Sequence, residues 1–391
     1  MLTTTIPLFE TVNATAPATT RDFPACDAEF SVGDAFDHLL GGFDQAHVPY
    51  MGLLELTHKC NLDCVMCYNV PLAQPELTTA EWLDVLEQMA EAGTLRLTLS
   101  GGEILTRRDF FTIAGHARTL DFALDLKTNA TLITPESADR IAALQPVQVD
   151  ISLLGASDST FDAVAGSKNT FTRVLRGVQL LQARGVAVKL NTLLLNLNVH
   201  ERSQMVDLAR TLGVEYKHVV KLSRSDDGQE KAGNTQLSTD AITRVLEDNR
   251  ADFAVQAPTA ETRTCKVGLS SFLISPYGEI YPCQELRISA GNLRRQSFGS
   301  IWRDAPIFQE LRSRHTYANF PECRVCPINA YCVGRCSGLA WKRDGNLYGA
   351  DLTACAQAQA HYQQRNPGQL APLTPLQAKQ RRHYSANGNP A

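Results

Sequence analysis

Six short strand-like segments alternate with amphipathic helical segments between residues 51 and 222, and this alternation constrains the fold more than any other feature. The strand segments are 52–57, 95–100, 122–128, 147–154, 186–195 and 214–222. The first helical segment opens with a capping box, in which Thr78 is followed three residues later by Glu81. Such alternation predicts βαβ units around a parallel sheet. Because a closed barrel needs eight units, the sequence predicts an α/β fold with an open, partial (β/α)6 TIM-like barrel.

The rest of the chain is divided into four further parts by its composition. Residues 1–48 show weak periodicity and are expected to form an N-terminal extension before the barrel at 49–222. Residues 223–262 begin with a polar, Gly-containing stretch and are interpreted as a linker with one bridging helix. A cysteine-rich domain with a short hairpin is expected at 263–360. The tail at 361–391 is rich in Pro and Gln and is expected to be disordered.

Composition and charge exclude several classes of protein. The chain is 44% hydrophobic and 20% charged with a formal net charge of -4, which is typical of a globular cytoplasmic protein and gives no electrostatic case for nucleic acid. It shows no signal-peptide pattern at its start, and no apolar run approaches the ~18 residues that span a bilayer. We therefore expect no membrane partner. In a reducing compartment, clustered cysteines are more often metal or redox ligands than disulfides.

Three of the 11 cysteines, Cys60, Cys64 and Cys67, follow the first predicted strand with the spacing C-x3-C-x2-C. Loops at the carboxyl ends of parallel strands are the usual place for chemistry in α/β folds. Three thiolates suit structural zinc poorly, because such zinc fills all four tetrahedral positions with protein ligands. They suit a [4Fe–4S] cluster in which one iron stays open. Zinc is the alternative for these thiols.

The stretch CNLDCVMCYN (60–69) resembles the signature of radical S-adenosylmethionine (radical SAM) enzymes, and LSGGEIL (99–105) is similar to their loop after the second strand. The resemblance implies that the three cysteines hold three irons and that SAM chelates the fourth. Reductive cleavage of SAM would then give a 5′-deoxyadenosyl radical that takes a hydrogen atom from the substrate.

Two further stretches resemble segments with which this family contacts its cofactor. KTNATLI (127–133) has Ala130 in place of the usual Gly, and DISLLGAS (150–157) has Leu154 in place of the usual Asp. Polar strand-end residues satisfied by backbone are the alternative for Ser152 and Asn191. Glu103 is expected to bind an ammonium group. The implied cofactor-binding residues are Gly101, Gly102, Glu103, Asn129, Ser152 and Asn191.

Seven cysteines near the C-terminus resemble the pattern of the SPASM domain, which carries two auxiliary iron–sulfur clusters. Their spacing is Cys265-x12-Gly278-x4-Cys283, then Cys323-x2-Cys326-x5-Cys332-x3-Cys336, then Cys355. The resemblance implies an outer cluster ligated by Cys323, Cys326, Cys332 and Cys355. It implies an inner cluster ligated by Cys265, Cys283 and Cys336. The inner cluster lacks a fourth cysteine, so either a non-cysteine group fills that position or the iron is open to water or substrate, which we expect.

Auxiliary clusters imply that electrons enter or leave during turnover, and members with this domain mostly modify peptides or proteins. We expect an oxidative maturase of a ribosomally made precursor peptide that forms a crosslink, a thioether or a related bond. The 48 residues before the barrel are too few for a leader-binding domain, so either a separate peptide-carrier protein or recognition by the enzyme itself is expected. The expected electron donor is a flavodoxin or ferredoxin-type protein. The alternatives are a sulfatase-type protein maturase, a tetrapyrrole side-chain modifier and a non-enzymatic iron–sulfur protein for electron transfer or redox sensing. A non-enzymatic iron–sulfur protein would not need a SAM-binding loop such as LSGGEIL (99–105), so this loop speaks against that alternative.

Overall fold

The structure, a computed structural model, describes residues 32–379 except 224, 227–234, 249–254 and 333. Its six barrel strands are β1 (Met51–Thr57), β2 (Arg96–Gly101), β3 (Ala123–Thr128), β4 (Gln148–Ser152), β5 (Val188–Leu193) and β6 (Glu215–Val219). Each strand pairs in parallel with the next one along the chain. The predicted partial barrel is therefore confirmed, and the carboxyl ends of all six strands meet at one edge.

Helix α1 (Val32–Ala46) precedes the first strand, and the other helices of this part follow strands. These are α2 (Thr79–Glu91), α3 (Phe110–Thr119), α4 (Pro135–Ala143), α5 (Asp158–Ala165), α6 (Phe171–Gln182), α7 (Arg202–Leu212) and α8 (Thr239–Asp248). The capping box of α2 is present, because the Glu81 carboxylate accepts from the Thr78 backbone N–H at 2.7 Å and the Thr78 hydroxyl accepts from the Glu81 N–H at 3.2 Å. Helix α1 in the expected extension and the short helix α5 after β4 were not predicted.

The cysteine-rich segment adds three strands to the barrel sheet. These are β7 (Ser271–Ile274), β8 (Glu279–Tyr281) and β9 (Gly291–Asn292). The hairpin of β7 and β8 was predicted, but the parallel pairing of β7 with β1 was not. The result is one nine-stranded sheet in the order β6-β5-β4-β3-β2-β1-β7-β8-β9.

The described C-terminal part also contains the helices α9 (Phe298–Asp304), α10 (Pro306–Arg314), α11 (Pro321–Arg324), α12 (Ser337–Asp344) and α13 (Leu352–Arg365), and residues 375–379 are helical as well. The expected disorder from residue 361 onward does not hold for residues 361–379. Helix α13 continues to Arg365, and Leu376 is buried in an apolar cluster with Tyr317 and Phe320. The Gln377 side-chain amide also donates to the Gln359 side-chain oxygen at 2.7 Å, so an apolar contact and a hydrogen bond both hold this segment. Residues 1–31 and 380–391 of the expected extension and tail lie outside the described residues.

The main apolar core lies between the sheet and its helices. Leu54 and Leu56 of β1 are fully buried in it, as are Trp82 and Leu86 of α2. Strands that are buried on both faces have nearly continuous apolar sequences. This explains why the barrel strands appear in the sequence as short apolar segments. Among the described helices, none combines the length and apolar character needed to cross a membrane.

Candidate active site

A cavity of about 600 Å³ opens at the carboxyl edge of the barrel strands. Its wall contains the thiols of Cys60, Cys64 and Cys67, which lie in the loop after β1. Five of the six residues expected to contact the cofactor lie in the same wall: Gly101, Gly102, Asn129, Ser152 and Asn191. The structure thus brings together residues from β1 to β5 that are far apart in the sequence.

The glycine pair after β2 supports the cysteine loop directly. The Gly102 N–H donates to the Thr57 carbonyl at 2.7 Å, and the Glu103 N–H donates to the Lys59 carbonyl at 2.9 Å. A Cβ atom on Gly101 would lie 2.2 Å from the Thr57 carbonyl oxygen, and Gly101 has a φ of +134°. Side chains are therefore excluded here because the backbone of the cysteine loop packs against the turn.

The end of helix α5 supports the cysteine loop from a second side. The Asp63 N–H donates to the Ala165 carbonyl at 3.2 Å, and the Val65 N–H donates to the Val164 carbonyl at 3.0 Å. A Cβ atom on Gly166 would lie 2.2 Å from the Asp63 carbonyl oxygen. The loop is thus held between two glycine-containing turns, and this support does not depend on any bound cofactor.

Glu103 differs from the expectation that its carboxylate binds an ammonium group. The side chain is completely buried and is absent from the cavity wall. Its carboxylate accepts from the backbone N–H groups of Leu105 at 3.0 Å and Asn129 at 2.7 Å, and from the Thr128 hydroxyl at 2.8 Å. Burial raises the pKa of this carboxyl, and these hydrogen bonds oppose the increase. Glu103 therefore joins the turn after β2 to the end of β3.

Asn129, directly after β3, connects the Glu103 hydrogen bonds to the cysteine loop. Its side-chain amide donates to the Asn61 side-chain oxygen at 3.0 Å and lies 3.7 Å from the Cys60 sulfur. A donor beside a ligating sulfur tunes the reduction potential of an iron–sulfur cluster. The position of Asn129 thus suits a contact to the cluster loop as well as to SAM.

The thiols of the cysteine loop suit a metal cluster. Burial raises the pKa of Cys64 to about 12, and the thiols of Cys67 and Cys60 contribute in the same direction. Metal binding deprotonates such thiols, so loading of the site releases protons. In the described ranges, no three His, Cys, Asp or Glu side chains surround a single metal ion.

The seven C-terminal cysteines fall into the two groups implied by the resemblance. Burial raises the pKa of Cys283 to about 12, and the nearby thiols of Cys336 and Cys265 add to this effect. Burial also raises the pKa of Cys355 to about 12, with contributions from Cys332, Cys323 and Cys326. None of the ten described cysteines is in a disulfide.

A buried ion pair that sequence reasoning missed connects the cysteine loop to the Cys283 segment. Glu55 of β1 is fully buried, and Arg287 donates two hydrogen bonds to its carboxylate at 2.6 and 2.9 Å. The His58 ring lies 3.1 Å from the same carboxylate, and the Tyr68 hydroxyl donates to it at 3.3 Å. Burial raises the pKa of Glu55, but His58 and Arg287 outweigh burial and hold it at about 2. The carboxylate is therefore ionised.

Lysines form a second feature that the sequence reasoning missed. The cavity wall contains Lys127, Lys189, Lys217 and Lys221. Lys189 forms an ion pair with Glu215, and the Lys221 ammonium lies 3.4 Å from the Asp351 carboxylate. The other two have no ion-pair partner in the part of the chain that the structure describes. The sequence could have indicated Lys189, because it lies two residues before Asn191 in β5 and therefore points to the same face of the strand.

Comparisons with known proteins agree with this geometry. The Radical SAM superfamily model matches residues 54–209, and the model of the SPASM iron-sulfur cluster-binding domain matches residues 265–327. The chain is 30% identical over 340 residues to a PqqA peptide cyclase from Xanthomonas oryzae pv. oryzae, covering 81% of this chain and 90% of the relative. It is 29% identical over 332 residues to an AdoMet-dependent heme synthase from Methanosarcina barkeri, covering 77% of this chain and 94% of the relative.

A solved structure shares the fold at lower sequence identity. SuiB from Streptococcus suis, bound to the precursor peptide SuiA, superposes with a TM-score of 0.62 at 16% identity. The match covers 86% of this chain and 84% of SuiB.

The chain belongs to the radical SAM superfamily and carries a SPASM domain. It is therefore a radical SAM enzyme that binds a [4Fe–4S] cluster, SAM and auxiliary iron–sulfur clusters. Cys60, Cys64 and Cys67 would hold the SAM-binding cluster, as expected from their spacing. The zinc alternative and the non-enzymatic iron–sulfur alternative are not favoured, because neither accounts for membership of this family.

Proposed function

We propose that this enzyme is a peptide maturase, which oxidatively modifies a precursor peptide by forming a crosslink, a thioether or a related bond. The observation that carries the proposal is the similarity to PqqA peptide cyclase, which extends over 90% of that relative at 30% identity. When bound, SAM and its cluster supply a 5′-deoxyadenosyl radical that abstracts a hydrogen atom from the substrate. The bond formed depends on the peptide.

The shape of the cavity supports a substrate that enters only in part. Its volume of about 600 Å³ lies within the range of ~300–1,000 Å³ of small-molecule sites, and SAM occupies part of such a space. A side chain with its adjoining backbone fits in the remainder, and the rest of a peptide then lies outside the barrel. Gln284 and Glu285 reach the wall from the SPASM segment, so an entering side chain lies between the two cluster regions.

The protein partners belong to the same proposal. A flavodoxin or ferredoxin-type protein would reduce the cluster, and a separate peptide-carrier protein would deliver the precursor. Both would act in the cytoplasm. A purified system that turns over with a chemical reductant and bare peptide would show that the carrier is dispensable.

The experiment is co-expression with each short open reading frame encoded beside the gene, followed by mass spectrometry of the peptide. A mass change that requires the enzyme supports the proposal, and an unchanged mass for every such peptide contradicts it. The control is the triple variant C60A/C64A/C67A, which should leave the peptide unmodified. In vitro, the reduced and reconstituted enzyme should convert SAM to 5′-deoxyadenosine, and the triple variant should not.

Heme synthesis is a second candidate function, because the chain also covers 94% of the AdoMet-dependent heme synthase at 29% identity. The same co-expression host distinguishes heme synthesis from peptide maturation. Heme that accumulates or co-purifies with the enzyme, together with unmodified peptides, would favour the tetrapyrrole substrate. A modified peptide without heme would favour the maturase.

A further inference from the structure

Glu285 lies beside the inner group of SPASM cysteines, which has three thiols, whereas a [4Fe–4S] cluster without an open iron takes four protein ligands. It follows Cys283 by two residues, and the backbone N–H of the next residue, Leu286, donates to the Cys283 sulfur at 3.4 Å. Its backbone and Cβ atom also pack against Gly338, two residues after Cys336. Glu285 therefore lies between the segments that carry Cys283 and Cys336.

Tight packing fixes the glutamate in this place. Gly338 lies near the start of α12, two residues after Cys336. A Cβ atom on Gly338 would lie 2.4 Å from the carbonyl carbon of Glu285 and 2.5 Å from its Cβ atom. The backbones that carry Cys283 and Cys336 thus touch at Glu285, and any larger residue at position 338 would separate them.

The two oxygens of the Glu285 carboxylate have different surroundings. Oε1 accepts a hydrogen bond from the Ser223 hydroxyl, whereas Oε2 is buried without a hydrogen-bond partner among the described residues. Burying a carboxylate oxygen is costly unless a cation or a metal interacts with it. The unpartnered Oε2 atom is therefore available to bind a metal ion.

Asp351 is the other carboxylate near Cys336, and its oxygens are both engaged. Oδ1 caps helix α13 by accepting from the Thr353 N–H at 2.9 Å. Oδ2 makes no hydrogen bond, but it lies 3.4 Å from the Lys221 ammonium. The comparison favours Glu285 over Asp351 as the group with unused ligating capacity.

We propose that Glu285 is the fourth protein ligand of the inner auxiliary cluster, binding iron through Oε2 beside Cys265, Cys283 and Cys336. Iron accepts carboxylate oxygen readily. This replaces the open, water-accessible iron expected from the sequence. The proposal concerns an auxiliary cluster, so it stands or falls independently of which substrate the enzyme modifies.

Spectroscopy of the auxiliary clusters alone tests the proposal. The full chain carrying C60A/C64A/C67A, reconstituted anaerobically with ⁵⁷Fe, contains no SAM-binding cluster and shows only the SPASM sites. With Glu285 present, the Mössbauer spectrum should contain one iron subsite with an oxygen ligand. E285C should convert that subsite to the all-thiolate type, and E285A should create an iron that binds added cyanide.

Electrochemistry supplies a second readout on the same background. E285C and E285A should shift the midpoint potential of one auxiliary cluster and leave the other unchanged. The matched control is E279A in strand β8, because the Glu279 carboxylate accepts from Asn292 at 2.8 Å and from Ser289 and so has no free oxygen. E279A should leave both potentials unchanged. If E285A fails to fold, E285Q keeps the shape and should still alter the oxygen-ligated subsite.

Two results would overturn the assignment. One is an auxiliary-cluster spectrum that is the same in E285A, E285Q and the parent protein. The other is cyanide binding to the parent protein as strong as that to E285A, which would show that the fourth iron is already open. A change caused by D351N but not by E285Q would assign the ligand to Asp351 instead.

Discussion

Removing Arg287 should destabilise the protein strongly, because it leaves the Glu55 carboxylate buried without its main cation. Glu55 is fully buried, and its pKa is lowered from 4.5 to about 2. At about 1.4 kcal/mol for each pH unit, that lowering, which His58 and Arg287 produce together, corresponds to roughly 3 kcal/mol of stability. Breaking a buried pair typically costs about 3–5 kcal/mol. We therefore expect R287M to lose about 3–5 kcal/mol of unfolding free energy.

The double variant E55Q/R287M separates charge burial from lost packing. Removal of both charges leaves no unpaired carboxylate, so its loss should be smaller than the sum of the two single losses. The measurement is anaerobic urea unfolding at pH 7, followed by tryptophan fluorescence. The thermal midpoint of R287M should fall by roughly 4–6 °C, at about 1.2 °C for each kcal/mol in a chain of this size.

A surface pair of the same chemistry is the matched control. Arg294 donates to Glu81 at 2.6 Å, and the pKa of Glu81 is also lowered to about 2, with the Arg294 hydrogen bond as the main cause. The Glu81 side chain is about one-third exposed, so solvent screens the pair, and R294M should cost only about 0–1 kcal/mol. A loss in R287M no larger than that in R294M, or additive losses in the double variant, would refute the reasoning.

Three further predictions concern single positions. G101A should abolish loading of the SAM-binding cluster, measured as iron per chain, because its Cβ atom would lie 2.2 Å from a carbonyl oxygen; G115A in α3, where a Cβ atom meets nothing within 4 Å, should load normally. A130G should gain about 0.5–1 kcal/mol in urea unfolding, because Ala130 has a left-handed φ of 59°; a loss would contradict this. Burial, with Arg263 nearby, lowers the pKa of His315 to about 4, so between pH 4 and 6.5 the unfolded chain binds more protons than the folded chain. The free energy of unfolding should therefore fall as the pH is lowered from 6.5 to 4. H315N should flatten that dependence, and an unchanged slope would exclude His315 as its source.

Local patterns were enough to predict the barrel strands and the capping box of α2. Each depends on neighbours within a few residues: alternation of apolar segments for β1 to β6, and Thr78 with Glu81 for the helix start. The glycines after β2 were also found, but for an incomplete reason. The sequence shows that Gly101 and Gly102 permit close approach, whereas only the fold shows that the approaching group is the cysteine loop.

Contacts between distant segments were not predictable from one sequence. Glu55 and Arg287 are 232 positions apart, and no periodicity connects them. The pairing of β7 with β1 has the same character, because a four-residue apolar strand can join either edge of a sheet. Glu103 stays a predicted ammonium contact, but its motif did not show that the N–H groups of Leu105 and Asn129 already donate to its carboxylate.

The position of β1 in the sheet explains how the cysteine loop at Cys60–Cys67 and the SPASM cysteines are held at a fixed separation. Because β1 lies between β2 and β7, the loop after it is flanked by the glycine turn on one side and by the β7–β8 turn on the other. Tyr277 in the latter turn packs edge-on against His58 at 5.3 Å, and its hydroxyl accepts from the Leu72 N–H at 2.7 Å. Since Glu55 binds Arg287 on the same side, any shift of β7 along β1 would move the SPASM cysteines relative to Cys60–Cys67. The sheet therefore sets the separation of the two cysteine groups.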